Sequence, residues 1–247
     1  MARFSIVTVS AFDNARLRKT LQSFINHNSD LEYIVVVPRN DFEGVELVSA
    51  YSQRFQFPSK LILDDGIGIY NAMNMGLQEA TGDFVIYWNS GDVLIDSDGL
   101  LKLLNTNFSE NELWIVFDAE FTWRQAPSLG PKSIKYFIGQ SKLGYISHQQ
   151  IAIRRSALIS WGGFDTRYQV AADFKAILQA SRFAPSLFTE SRIVSVEYPN
   201  FSAIQNRVGR IETTLILIRD RRLNLIPIIR IFAREFNALS RKYLRVP

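Results

Sequence analysis

Cysteine is absent from all 247 residues, which excludes disulfides, a thiolate nucleophile and cysteine-ligated zinc. Histidine occurs only at His27 and His148, so a multi-histidine metal centre is excluded as well. No stretch reaches the roughly 18 uncharged apolar residues that a membrane-spanning helix needs. The opening residues Met1 to Ser10 are apolar for too short a distance, and too interrupted by Ser5 and Thr8, for a secretory signal. They read as a first strand, and the expected location is the cytoplasm or the inner face of a membrane. Low-complexity tracts and internal repeats are missing too.

What remains is a globular composition, 47% hydrophobic and 21% charged, in a length that suits one α/β domain. The net charge of +4 is unevenly spread. From Ala203 onward ten Lys and Arg face three acids, so the basic balance belongs to the tail and the preceding residues are net acidic. Nucleic acid is therefore not an expected partner. The expected division is a body of residues 1–202 and a basic amphipathic helical tail of residues 203–247, broken or kinked at Pro227. In that tail Ile228, Phe232, Phe236, Leu239 and Tyr243 share one helical face, and Arg230, Arg234, Arg241 and Arg245 share the opposite one. Such a helix either docks on the body or makes a peripheral contact with an anionic membrane surface.

Phe4 to Ser10, Leu31 to Val37 and Leu61 to Leu63 read as strands, with helices over Ala15 to Asn28 and up to about Arg54 between them. This alternation implies parallel pairing with right-handed crossovers. The stretch from Asp64 to Asp92 organises the rest. Asp64, Asp65 and Gly66 form a turn, and Tyr70, Met73, Leu77 and Ala80 recur at helical spacing. Thr81-Gly82-Asp83 ends that helix, and Phe84 to Trp88 is a short β-branched and aromatic run, as in a strand covered on both faces. The chain then turns polar at Asn89-Ser90-Gly91-Asp92. Ligands of open α/β sheets sit beyond the carboxyl ends of the strands. A carboxylate delivered there can hold a divalent cation against a diphosphate.

Beyond this point Asp96 to Asn105 reads as a helix, Trp114 to Trp123 and Gln150 to Ile153 as strands, Arg154 to Trp161 and Ala172 to Ser181 as helices, and Ser186 to Tyr198 as one or two strands. Gln125 to Gly144, with Pro127, Gly130, Pro131 and Gly139, has little periodicity and is a candidate lid.

Several short motifs occur in order: Gly68-Ile69-Tyr70-Asn71-Ala72-Met73-Asn74-Met75-Gly76, Ala80-Thr81-Gly82-Asp83, Asn89-Ser90-Gly91-Asp92, the His148-Gln149 pair, and Trp161-Gly162-Gly163-Phe164-Asp165. Over Phe4 to about Ser181 the chain resembles the family 2 glycosyltransferases of bacterial polysaccharide assembly, closest to the colanic-acid type. The resemblance implies a GT-A, nucleotide-diphospho-sugar transferase fold: an α/β architecture with a Rossmann-like, mostly parallel central sheet flanked by helices, here followed by C-terminal amphipathic helices. It implies inverting transfer from a nucleotide-sugar donor, UDP-sugar above all, to a glycan or lipid-linked glycan acceptor, with Mg2+ or Mn2+ as cofactor.

Carried over position by position, the resemblance makes Asp92 the metal ligand and Asp173 the catalytic base. It makes Ser10, Asp13, Asn40, Asp65, Tyr70, Asn71, Asn74, Asn89, Ser90 and His148 candidate donor-binding residues. Asp13 or Asn14 reads equally as a helix cap, as does Asp173. Departures from the family pattern are plain. Val37 stands where an acid usually contacts the base, so Asn40 or Asp41 takes over or base recognition is altered. Gly66-Ile67 replaces an acid and lysine, and Lys175 replaces a frequent second acid after the base, where it would help keep Asp173 ionised. Two rival readings stay open. One is a catalytically silent homologue acting as a scaffold subunit. The other is a sugar nucleotidyltransferase, which needs a basic glycine-rich first loop that Ser10 to Asn14 does not provide.

Overall fold

The structure is a computed structural model and describes residues 3–27, 30–122, 146–197 and 206–220. Its first half is built from strand–helix units: β1 (Phe4–Val9), α1 (Asn14–Ser23), β2 (Leu31–Pro38), α2 (Phe42–Ser52), β3 (Ser59–Asp64), α3 (Ile69–Glu79) and β4 (Phe84–Asn89). β1 lies in parallel register between β2 and β4, and β3 adds in parallel to β2. The central strands are continuous apolar runs because helices cover both faces. On one face Ile6, Val35 and Trp88 pack with Leu17, Leu21 and Phe24 of the α1 region and Leu47 and Val48 of α2. On the other, Val7, Val36 and Tyr87 pack with Tyr70, Met73 and Leu77 of α3. α3 approaches β1 so closely that a Cβ on Gly76 would lie 2.4 Å from a Val7 methyl.

The second half contributes β5 (Val93–Leu94), α4 (Ser97–Asn105), β6 (Trp114–Phe121), a 3-10 turn (His148–Gln150), β7 (Ile151–Arg154), α5 (Arg155–Ser160), α6 (Ala172–Ala180), β8 (Ser186–Val196) and α7 (Asn206–Arg219). The eight strands form one sheet in the order β3-β2-β1-β4-β7-β6-β8-β5. β7 runs antiparallel to both β4 and β6, β8 is parallel to β6, and β5 is antiparallel to β8. The nucleotide-binding rhythm of the first half therefore continues into a mixed second half.

Asp13, Asp41 and Asp96 start α1, α2 and α4 by accepting the backbone N–H of Arg16, Gly44 and Gly99. α1 stops at Ser23, short of the expected Asn28, because Phe24, Ile25 and His27 each bond back three residues and tighten the chain into turns. That places Phe24 wholly inside the core. The candidate lid over 125–144, Pro227 and the tail face from Ile228 to Tyr243 lie outside the described residues.

Candidate active site

The tip of β4 is a tight turn closed on itself. The Asp92 N–H donates to the Asn89 carbonyl at 2.9 Å, and the Asn89 N–H donates to Asp92 Oδ2 at 2.7 Å. Gly91 takes φ +100°, and a Cβ there would stand 2.3 Å from Arg16 Nε. The dihedral is what calls for glycine, and the guanidinium of Arg16 on α1 packs beneath the turn. Ser90 Oγ donates to the Asp13 carbonyl at 3.3 Å and Gly91 N–H to Thr20 Oγ1 at 2.9 Å, tying the tip to the first loop and α1. Asp92 is only 2% exposed. Burial pushes its pKa up to about 6, against the opposing pull of the Asn89 N–H, His148, Gln149 and Arg16.

A chain of hydrogen bonds leads from this tip to Asp173. The Trp88 indole N–H donates to the Gln149 carbonyl at 3.1 Å and seats the 3-10 turn beside β4. His148 Nε2 then lies 3.2 Å from Asn89 Nδ2, and His148 Nδ1 lies 2.9 Å from Asp173 Oδ2. The amide donates to Nε2 and Nδ1–H donates to the carboxylate, the one tautomer that satisfies both contacts. The other oxygen, Asp173 Oδ1, accepts the Tyr70 hydroxyl at 2.9 Å and the Phe174 N–H at 2.8 Å. Tyr70 is also 2.6 Å from the Val170 carbonyl. Burial opposes charge on Asp173, but the His148 hydrogen bond and its proximity, then Phe174 and Tyr70, outweigh it and hold the carboxyl below its usual range. Burial, reinforced by the Asp173 charge, raises the Tyr70 pKa, so its hydroxyl stays a donor.

Asn89, Tyr70, His148 and Asp173, expected separately from the sequence, thus form one network, while others fall elsewhere. Ser10, just past the end of β1, is buried with a hydroxyl that has no partner among the described residues. Asp13 caps α1. Asn40 is exposed, and its neighbour Asp41 is buried with both oxygens committed to the Phe12 and Gly44 N–H groups and the Asn14 amide. Asp41 therefore braces the first loop. Asp65 is exposed and pairs with Arg39 at 3.5 Å. The Asn71 amide turns along its own helix toward Met75 Sδ at 3.8 Å. Asn74 spends its amide on the Phe164 backbone, donating to the carbonyl and accepting the N–H, both at 2.8 Å. It pins the Gly162-Gly163-Phe164 turn. Lys175 bonds Asp165 at 2.7 Å, so the contact that stabilises ionised Asp173 comes from the His148 side. Residues two apart on a helix do not face each other, which is why Lys175 points away.

Glu212, on α7, carried no motif and no expected role. Its buried carboxylate accepts three consecutive backbone N–H groups, from Gln169 at 2.7 Å, Val170 at 2.9 Å and Ala171 at 3.0 Å. These residues lead directly into α6 and Asp173. A Glu212→Ala variant is expected to lose about 2–4 kcal/mol of folding stability, because three buried donors lose one acceptor. Urea titration checks this, and a loss below half a kcal/mol would show that water replaces the carboxylate.

Among the described residues no group of three or more His, Asp or Glu gathers as a cation site. The tip offers instead two hard oxygen donors in one turn, the Asp92 carboxylate and Asn89 Oδ1, which is buried without a partner. This set fits a hard cation that draws its remaining ligands from phosphate oxygens and water.

The sequence pattern described as "Glycosyl transferase family 2" matches residues 5–162, from β1 through the tip, His148 and α5. The chain belongs to this family. Named relatives include a "PGL/p-HBAD biosynthesis glycosyltransferase" of Mycobacterium bovis, 24% identical with 96% of this chain and 93% of the relative covered. An "uncharacterized glycosyltransferase" of Mycobacterium tuberculosis is 26% identical over 72% of this chain and 68% of its own length. Among solved structures, S. aureus TarS 1-349 in complex with UDP-GlcNAc superposes with a TM-score of 0.66 at 14% identity, covering 82% of this chain and 60% of that one. The mannosyltransferase PcManGT from Pyrobaculum calidifontis, in complex with GDP-Man and Mn2+, gives 0.65 at 14% identity, covering 90% of this chain and 65% of that one. At such identities the likeness speaks for the fold, and the fold of this family 2 glycosyltransferase is GT-A. The family match ends at residue 162, before Asp173 and Glu212.

Proposed function

We propose that this chain is an inverting glycosyltransferase that moves a sugar from a nucleoside-diphosphate donor, a UDP-sugar first of all, to a hydroxyl of a glycan or lipid-linked glycan in cell-surface polysaccharide assembly. The observation that carries the reading is the network joining the β4 tip to Asp173 through His148. It sets a carboxylate held ionised at a fixed relation to the turn that would face the diphosphate. Asp173 takes the acceptor hydroxyl's proton while the acceptor oxygen bonds the anomeric carbon from the side opposite the departing nucleoside diphosphate. His148 Nδ1–H and the Tyr70 hydroxyl hold the carboxylate in place. Asp92 and Asn89 would hold Mg2+ or Mn2+, which would offset charge on the leaving diphosphate. The free hydroxyl of Ser10 and the loop that Asp41 braces are the donor's base and ribose side. Complexes of fold neighbours with UDP-GlcNAc and with GDP-Man and Mn2+ support the donor class.

Calorimetry with UDP, with and without Mn2+, tests the reading. Binding of UDP that tightens when Mn2+ is added is the expected result. A scaffold subunit would bind neither, and that outcome would overturn the proposal. A GDP arm tests the base, because Val37 is buried and Asp41 is committed, leaving no acid to read uracil where the family has one.

A further inference from the structure

α7 has two unlike faces. Its inner face carries Glu212 beneath the segment that leads to Asp173, together with Thr214 and Ile216, all buried. Its outer face carries Val208, Ile211, Leu215 and Ile218, which remain 37, 48, 42 and 39% exposed. At about 100° per residue these four fall within roughly 80° of arc, a single apolar stripe left partly exposed. Arg207 and Arg219, both exposed, stand roughly 60° to either side of its centre, and the Arg219 guanidinium also donates to the Tyr168 hydroxyl at 3.1 Å.

We infer that this stripe is a docking surface for an anionic lipid bilayer, with α7 lying in the plane of the headgroups. The charge pattern selects that occupant. An interfacial helix needs an apolar face flanked by cations that meet anionic headgroups, and Arg207 and Arg219 occupy those flanks. A second copy fits poorly. A two-fold pairing through the stripe would gather the arginines of both copies at one seam, with no exposed acid on α7 to answer them. The residues that follow α7, 221–247, carry seven Lys and Arg against one acid, so they too favour an anionic surface over the arginine-flanked stripe. No described helix is long and apolar enough to cross a membrane, which leaves contact in the plane. The inference does not depend on the transferase reading. If both hold, the helix that meets the lipid is the one that braces the base.

The test uses the full chain with vesicles of phosphatidylcholine alone, and of phosphatidylcholine with phosphatidylglycerol. Sedimentation with the anionic vesicles only is expected. An Ile211→Gln/Leu215→Gln pair, exposed and compatible with a helix, should weaken partitioning about tenfold or more. An Arg207→Gln/Arg219→Gln pair should weaken it by about fivefold for each arginine and flatten its salt dependence. Circular dichroism verifies that the variants fold, and Val208→Gln/Ile218→Gln serves if the first pair does not. Undiminished binding by the folded glutamine variants would overturn the inference, as would equal binding to neutral vesicles. Light scattering that shows a dimer which the glutamine pair dissociates, with no sedimentation on vesicles, would assign the stripe to self-association and overturn it too.

Discussion

An Asp173→Asn variant is expected to bind UDP and Mn2+ as the parent does, while sugar transfer falls by roughly two to four orders of magnitude. The substitution keeps the size of the side chain. Its Oδ1 can still accept one of the donors that converge there, from His148, Tyr70 or the Phe174 N–H, so the local fold is expected to survive. What it cannot do is take a proton from the acceptor. Single-turnover transfer checks the first claim and calorimetry the second. Near-native turnover would move the base elsewhere. The pH profile carries the same logic. Against the opposing effect of burial, Asp173 is held below the ordinary carboxylate range chiefly by His148, so it keeps its charge to a lower pH than an ordinary carboxylate does. Asp92, whose pKa lies at about 6, takes up its proton first as pH falls. The first acid loss of metal-dependent UDP binding should therefore appear near pH 6 and belong to the tip.

The second large effect is a gain. In metal-free buffer at pH 7.5, Asp92→Asn is expected to make the protein more stable by up to about 3 kcal/mol, while abolishing metal-dependent UDP binding. An Asp in the unfolded chain ionises near 3.8, and this one in the folded protein near 6. Below both values the carboxyl is neutral in either state and has no effect on stability. As pH rises between them the unfolded chain sheds its proton and the folded chain does not, so the penalty grows, and above about 6 it is complete. Asparagine carries no such charge and can still accept the Asn89 N–H. Urea midpoints should separate at pH 7.5 and converge toward pH 4. Mn2+ should raise the Tm of the parent and leave the variant unchanged. A variant less stable by the same amount at both pH values would show that the carboxylate is a purely structural acceptor.

The parts of the molecule that sequence declares are those governed by local pattern. The apolar runs of β1, β2 and β4, the helical spacing of Tyr70, Met73 and Leu77, and the polar tip ending in Asp92 are all legible from neighbours a few residues away. Pairings made across the fold are not. His148 meets Asp173 only because the chain turns at Gly162-Gly163, and that turn is pinned by Asn74 from a different helix. Lys175 looks like the charge partner of Asp173 in the sequence, yet helix geometry sends it to Asp165. The antiparallel entry of β7 beside β4 follows a long excursion that no periodicity announces. Glu212 is an ordinary acid in a basic helix until its three backbone donors are in view.

The Glu212 brace also sets an order in time. A chain emerging from the ribosome completes β1 to β4 and the Asp92 tip early, and these elements pair among themselves. The carboxylate that fixes the approach to Asp173 is added on the order of ten seconds later at ordinary elongation rates. Until then the segment over Gln169 to Ala171 has no acceptor for its donors. Asp173 would therefore reach its fixed place last, only once α7 has left the ribosome and docked beneath that segment.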